Sequence, residues 1–313
     1  MSCEPTLEPS AALVEALRPL AGMRIALIAP AGGVKDERID TALAVLAAAG
    51  IDARLSTHAR DHHRYLAGTA ADRLADLQAA FEWPKVDAVW CLRGGYGSAQ
   101  FVQAIDWQRI PRDVPLVGYS DMSLLLAAFA RHERAAIHAS VATELALPGE
   151  TPAEQQARAA SMASLAACLK NQPSEWPLAY HGGPAEPLAG RVVGGNLTTL
   201  ASVAGTPAAL TLEDDAILVL EDVGEAEFRL ERCLQQLLDS VDTHRVKALV
   251  LGRFERCALA CGMDSLIEIF AEHTQARGIA LYYDAPVGHG FVNHAWRYGA
   301  RATIAQNRLF VDT

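Results

Sequence analysis

Short apolar runs alternate with longer stretches whose apolar residues recur at helical spacing, and this alternation sets the expected element order in the first half of the chain. Strands are predicted at residues 23–29, 51–55, 86–92, 115–117 and 135–138, with helices at 36–49, 70–81, 98–105 and 123–132 between them. The 36–49 stretch is rich in Ala and Leu and is closed by Gly50, a favourable residue just past a helix end. In 70–81 the apolar positions Leu74, Leu77 and Phe81 keep helical spacing. Repeated strand–helix units of this kind predict a parallel sheet covered by helices on both faces.

The pattern changes between Pro148 and Pro187, where an Ala-rich helix expected at 153–169 gives way to a stretch punctuated by Pro and Gly. Residues 171–187 are the expected linker between an N-terminal domain, 1–170, and a C-terminal domain, 188–313. Strands at 188–193, 216–220, 246–251, 280–283, 300–304 and 308–311, with helices from Leu197, at 225–239 and at 264–276, predict a second α/β domain. No internal repeat of fixed period is present.

Composition supports this picture. A chain of 313 residues, 51% hydrophobic and 20% charged, has apolar surface enough for a sizeable core and is long enough for two domains. Lys and Arg number 27 against 37 Asp and Glu, a formal charge of −10, which disfavours a nucleic-acid or anionic-membrane surface. Arg18 is the first basic residue and no apolar run approaches the ~20 residues of a bilayer span, so a soluble cytoplasmic protein without a secretion signal is expected. Six scattered cysteines do not make a disulfide framework. Cys257 and Cys261 lack a second Cys/His pair nearby, so no structural zinc is expected.

Chemistry concentrates at a few points. Pro115 to Ser123 runs from a strand through Gly118, Tyr119, Ser120 and Asp121 straight into an apolar helix, the local grammar of a nucleophile elbow. Met122 stands where the usual GxSxG would have its second glycine, and the alternative reading of Ser120 is an ordinary helix N-cap. Arg93-Gly94-Gly95-Tyr96-Gly97 follows another expected strand and is either a tight turn or a loop whose backbone approaches a ligand closely. In an open parallel sheet both points emerge at carboxyl ends of strands, where ligands bind. A serine nucleophile needs a base, and among ten histidines His289 stands out between two glycines in a loop after an expected strand. Glu221, with Asp222 as its competitor, ends an apolar strand where a carboxylate can orient an imidazole. Arg93 is the candidate partner for a substrate carboxylate.

Five motifs occur in order: RGGYG from Arg93, GYSD from Gly118, GGNLTTL ending at Leu200, LEDVGE from Leu220 with FRLER from Phe228, and PVGHG from Pro286. Together they resemble the LD-carboxypeptidase family of serine peptidases, which also includes the microcin-immunity peptidases, over nearly the whole chain. The resemblance implies an α/β fold with an N-terminal flavodoxin-like parallel-sheet domain and a C-terminal swivelling β/α domain, in a homodimer. It implies Ser120 as nucleophile, His289 as general base and then acid, and Glu221 as orienting carboxylate, with an oxyanion hole from backbone amides near Gly95 and Asp121. No metal or cofactor is implied. The implied substrate is a small peptide, a cytoplasmic murein tetrapeptide that loses its terminal D-alanine in peptidoglycan recycling.

Two departures from the family pattern bear on the pocket wall and the domain seam: His138-Ala139-Ser140 in place of His-Gly-Pro, and Tyr298-Gly299 in place of Pro-Gly. They keep open a related peptidase that cleaves a peptide–nucleotide conjugate. Two further alternatives are an amidotransferase-like hydrolase using Cys91, and a non-catalytic ligand-binding module.

Overall fold

A computed structural model of the chain describes residues 9–185 and 187–313. The expectations about the N-terminal leader and Cys3 fall outside these residues, as does Glu186 of the expected linker. Among the described residues no helix is long and apolar enough to cross a membrane.

The N-terminal strands are β1 (Arg24–Ile28), β2 (Asp52–Leu55), β3 (Ala88–Cys91), β4 (Leu116–Gly118) and β5 (Ala136–His138). They pair in parallel in the order β2-β1-β3-β4-β5, the flavodoxin-like arrangement. Alternate residues of β1 enter different apolar layers, Ile25 and Leu27 on one face and Ala26 and Ile28 on the other. Both faces are therefore covered, as a parallel sheet requires.

The C-terminal strands are β6 (Ser174–Pro177), β7 (Ala179–Gly182), β8 (Leu188–Asn196), β9 (Ala216–Val223), β10 (Val246–Glu255), β11 (Ala260–Gly262), β12 (Ala280–Tyr283), β13 (Trp296–Arg297), β14 (Arg301–Ala305) and β15 (Arg308–Val311). An eight-stranded sheet runs β6-β15-β14-β8-β9-β10-β12-β7. Its centre, β8-β9-β10-β12, is parallel, and the flanking strands pair antiparallel.

Three features differ from the expected elements. Residues 171–187 are not a bare connection, because β6 and β7 lie there and close opposite edges of the C-terminal sheet. β13 returns to the N-terminal sheet and pairs Trp296 with His138. The helix expected at 98–105 is two short 3-10 turns, Ser98–Gln100 and Val102–Ala104. Gly97 at φ 138 and Phe101 at φ −135 break the helical run, and the side chain of Asp121 takes the Ser98 amide at 2.9 Å.

One helix joins the two halves. In Ser123–Arg131 every residue from Ser123 to Phe129 is buried, as expected of a helix packed on all sides. Its Leu124, Leu125 and Phe129 belong to an apolar cluster that continues into Val192, Leu218 and Leu249 of the C-terminal sheet. The Ser123 hydroxyl oxygen accepts from the Asn196 amide of β8 at 2.9 Å. The residues just after β4 are thereby held against the C-terminal domain.

Candidate active site

Ser120 follows β4 and its tyrosine with a φ of 66°, a left-handed conformation that a residue with a Cβ adopts only under constraint. A short 3-10 turn, Ser120–Met122, then leads into the buried helix. This is the sharp strand-to-helix turn of a nucleophile elbow rather than an ordinary N-cap, whose residue sits in the β region. The departure from GxSxG is accommodated locally. Met122 is buried, and its Cγ lies 2.8 Å from where a Cβ on Gly118 would stand, so the small residue before the serine leaves room for the large one after it.

The glycine-rich loop after β3 packs directly on this elbow. A Cβ on Gly94 would lie 2.7 Å from the Ser120 Cβ and 2.9 Å from its Oγ, so only glycine allows this approach. The buried Arg73 guanidinium donates to the Gly97 and Pro30 carbonyls at 2.8 and 2.9 Å, and the Ser98 hydroxyl donates to the Asp121 carbonyl at 3.0 Å. Among the described residues neither the Gly95 nor the Asp121 amide donates to a backbone carbonyl, so both are free for a ligand oxygen. The Asp121 side chain is buried and, through Ser98, ties the two loops together.

The C-terminal domain supplies a histidine–carboxylate pair. His289 Nδ1 lies 2.6 Å from Glu221 Oε2, with Glu221 fully buried and the His289 side chain 12% exposed. Burial alone would favour the neutral ring, but the Glu221 charge and hydrogen bond outweigh it and hold the His289 pKa above its usual value. With Nδ1 engaged, Nε2 is the nitrogen left for proton transfer. The loop around His289 is braced by the Arg253 amide on the Val287 carbonyl at 2.8 Å and by the His294 amide on the Pro286 carbonyl at the same distance.

Asp222 has another task. It accepts from Asn196 Nδ2, the Thr198 amide and hydroxyl, and the Val223 amide, at 2.7 to 3.0 Å, and so organises the turn after β8. The geometry thus brings Glu221, not Asp222, to the imidazole. The His289 ring packs on Tyr119, with centroids 4.6 Å apart, beside the residue that precedes Ser120. Cys91 is enclosed: it is fully buried, and burial pushes its thiol far above the ordinary range, which removes it as a nucleophile.

The sequence reading did not single out the polar network linking the two loops. Tyr119 donates its phenol to Glu144 at 2.5 Å, Glu144 pairs with the buried Arg158, and Arg158 donates to the Gly290 carbonyl at 3.2 Å. The nucleophile strand and the histidine loop are therefore connected through side chains far apart in the chain. The one local signal for it was Tyr119 itself, a phenol that burial keeps protonated beside the serine. Arg93 is exposed, its guanidinium donating to the Gly33 carbonyl at 2.6 Å. The two departures lie where expected: Ser140 meets Arg158 at 3.3 Å, and the Tyr298 hydroxyl accepts from the Gly194 amide at 3.0 Å.

A strained serine turn on one α/β domain, with a buried carboxylate–imidazole pair of a second packed on the tyrosine that precedes the serine, fits a serine hydrolase divided between two domains. Residues 25–139 match the LD-carboxypeptidase N-terminal domain and residues 189–304 the LD-carboxypeptidase C-terminal domain. The murein tetrapeptide carboxypeptidase of Pseudomonas aeruginosa is 46% identical over 291 residues, which cover 91% of this chain and 94% of that protein. The chain belongs to the LD-carboxypeptidase family of serine peptidases. The crystal structure of muramoyltetrapeptide carboxypeptidase from Oxalobacter formigenes superposes with a TM-score of 0.78 at 25% identity, covering 93% of this chain and 99% of that one. The microcin C7 self-immunity protein MccF superposes with a TM-score of 0.78 at 17% identity, over 94% of this chain and 96% of its own, a likeness of fold alone.

Proposed function

We propose that this protein hydrolyses the bond between an L-configured centre and the terminal D-alanine of a murein tetrapeptide, through Ser120, His289 and Glu221. The observation that carries the reading is the 2.6 Å contact between His289 and the buried Glu221 beside a left-handed Ser120 elbow, in a chain 46% identical to a murein tetrapeptide carboxypeptidase. In this mechanism His289 takes the Ser120 proton as the oxygen attacks the scissile carbonyl. The amides of Gly95 and Asp121 hold the oxyanion, a role in which one donor typically contributes ~2.7–4 kcal/mol to the barrier. The protonated imidazole then gives its proton to the departing D-alanine amine, leaving an acyl-enzyme on Ser120. Water, deprotonated by the same imidazole, releases the tripeptide. Arg93 binds a substrate carboxylate. We place the reaction in the cytoplasm, in recycling of peptidoglycan, and expect the homodimer implied by the family resemblance.

The test is mass spectrometry of a murein tetrapeptide incubated with the wild type and with Ser120→Ala. Loss of a single alanine by the wild type alone supports the proposal. Alanine release by Ser120→Ala removes Ser120 as the nucleophile. An intact tetrapeptide alongside cleavage of an aminoacyl–nucleotide conjugate redirects the substrate to the microcin type, and an intact tetrapeptide that still binds the wild type leaves a non-catalytic module.

A further inference from the structure

Beside the glycine-rich loop lies a small cavity of about 180 Å³, lined by Val34, Lys35, Arg38, Arg93 and Thr143. Three of its five lining side chains are cationic, in a chain of net charge −10. Among the described residues none of Lys35, Arg38 and Arg93 is paired with a carboxylate. Of the acids nearest in sequence, Asp36 and Asp40 are engaged by Arg60 at 2.7 and 2.5 Å, and Glu37, next to Arg38, is not among the residues that line the cavity. Like charges gathered around a concavity repel one another, and an anion seated among them relieves the repulsion.

A larger cavity of about 350 Å³ at the domain seam provides a contrast. There Arg131, Arg134 and Arg191 are accompanied by Glu133, Glu213 and Asp214, and Arg191 is tied to Asp214 at 2.6 Å. That site neutralises itself and requires no ligand charge.

The small cavity is also next to the reacting centre. Arg93 forms its wall and immediately precedes Gly94, the residue pressed against Ser120. The Gly32 amide donates to the Gly94 carbonyl at 3.1 Å, which fixes the 32–35 turn to the same loop. Thr143 closes the far side, its hydroxyl held by the Leu92 carbonyl at 2.5 Å. The walls are thus set by the elements that set the elbow.

We propose that Lys35 and Arg38, with Arg93, form an anion subsite that takes a carboxylate of the peptide substrate and so selects multiply anionic peptides. The inference rests on the peptide hydrolysis proposed above, and its test separates the two. Binding of intact tetrapeptide to the full-length Ser120→Ala protein is measured by calorimetry and compared with Ser120→Ala carrying Lys35→Ala and Arg38→Ala. The cavity substitutions are expected to weaken binding at least about tenfold, whereas Arg38→Lys alone retains most of it. Three further peptides, amidated at the terminal alanine, at the internal glutamyl carboxylate or at the diaminopimelyl side-chain carboxylate, identify the group. One of them is expected to bind weakly and equally to both proteins. Equal binding of the unmodified tetrapeptide to both proteins, or a uniform penalty across all the amidated peptides, overturns the subsite. Absence of alanine release by the wild type overturns the hydrolytic reading while the binding comparison still decides the subsite.

Discussion

His289 and His138 both pack against the ring of Tyr119, with centroids 4.6 and 5.9 Å away, but their pKa values are shifted in opposite directions. His289 meets a buried carboxylate, which raises its pKa. His138 ends β5 between Tyr119 and Trp296 with both ring nitrogens unpartnered, and burial lowers its pKa to about 3. Burial pushes both rings toward the neutral form, and more completely for His138, so depth accounts for the low value of His138 but not for the raised one of His289. The carboxylate accounts for that: an imidazolium inside a protein needs a compensating charge, and Glu221 of the C-terminal sheet supplies the largest one at His289.

The comparison can be broken first at the chemistry. Ser120→Ala or His289→Ala is expected to lower kcat/KM by roughly 10⁴ to 10⁶-fold, measured as alanine release. In calorimetric melting Ser120→Ala is expected to match the wild type, whereas His289→Ala, which leaves the buried Glu221 unpaired, is expected to melt lower. Residual activity within about tenfold of wild type would remove either side chain from the reaction.

Glu221→Gln tests what the partner does. A loss of about 10⁴-fold is expected, as for other triads deprived of their carboxylate. His289 acts as base only when neutral, so kcat/KM falls as pH drops through its raised pKa, and this acid limb is expected above the ordinary value of 6.5. In the Glu221→Gln protein the limb moves to lower pH, because the charge that held the proton is gone. A limb that stays in place means that Glu221 does not set the basicity of His289.

Next comes the network that joins the two loops. Arg158→Met leaves Glu144 buried without its cation and is expected to destabilise the protein by about 3–5 kcal/mol in urea unfolding. Replacing both members, Arg158→Met with Glu144→Leu, is expected to recover much of that stability but not the turnover number, because the Gly290 carbonyl and Tyr119 hydroxyl lose their shared anchor. Full recovery of turnover would show that the network serves stability alone.

The smallest effect belongs to His138. The folded state keeps it neutral down to about pH 3, whereas the unfolded chain protonates near 6.5, so stability falls as pH drops between those values. The slope is at most about 1.4 kcal/mol per pH unit, or about 2 kcal/mol at pH 5. His138→Leu is expected to flatten this part of the stability–pH curve and to leave the acid limb of kcat/KM unmoved. If the limb shifts, the two histidines are coupled in function.

The strand–helix alternation and the two-domain architecture were legible in the chain because period-2 and helical patterns are local. So were Ser120, Glu221 and His289 as candidates, since each stands at a strand end or between glycines. The edge strands of residues 171–187 escaped notice because β6 and β7 are short and largely exposed, without an apolar repeat. The helix expected at 98–105 failed because a distant side chain, Asp121, captures the Ser98 amide. Glu144 and Arg158 stayed invisible because neither belongs to a motif, and their meaning lies in what they touch.

The sequence by itself determined which segments become strands, which become helices, and where small residues permit tight turns, since these follow from short-range sterics and hydrophobic periodicity. Tertiary structure alone decided that Glu221 and not Asp222 meets the imidazole, and that one of two buried histidines has its pKa raised and the other lowered. It also decided that Lys35, Arg38 and Arg93 face a common cavity. Pairing, desolvation and charge convergence depend on distances across the folded molecule, and no local pattern carries them.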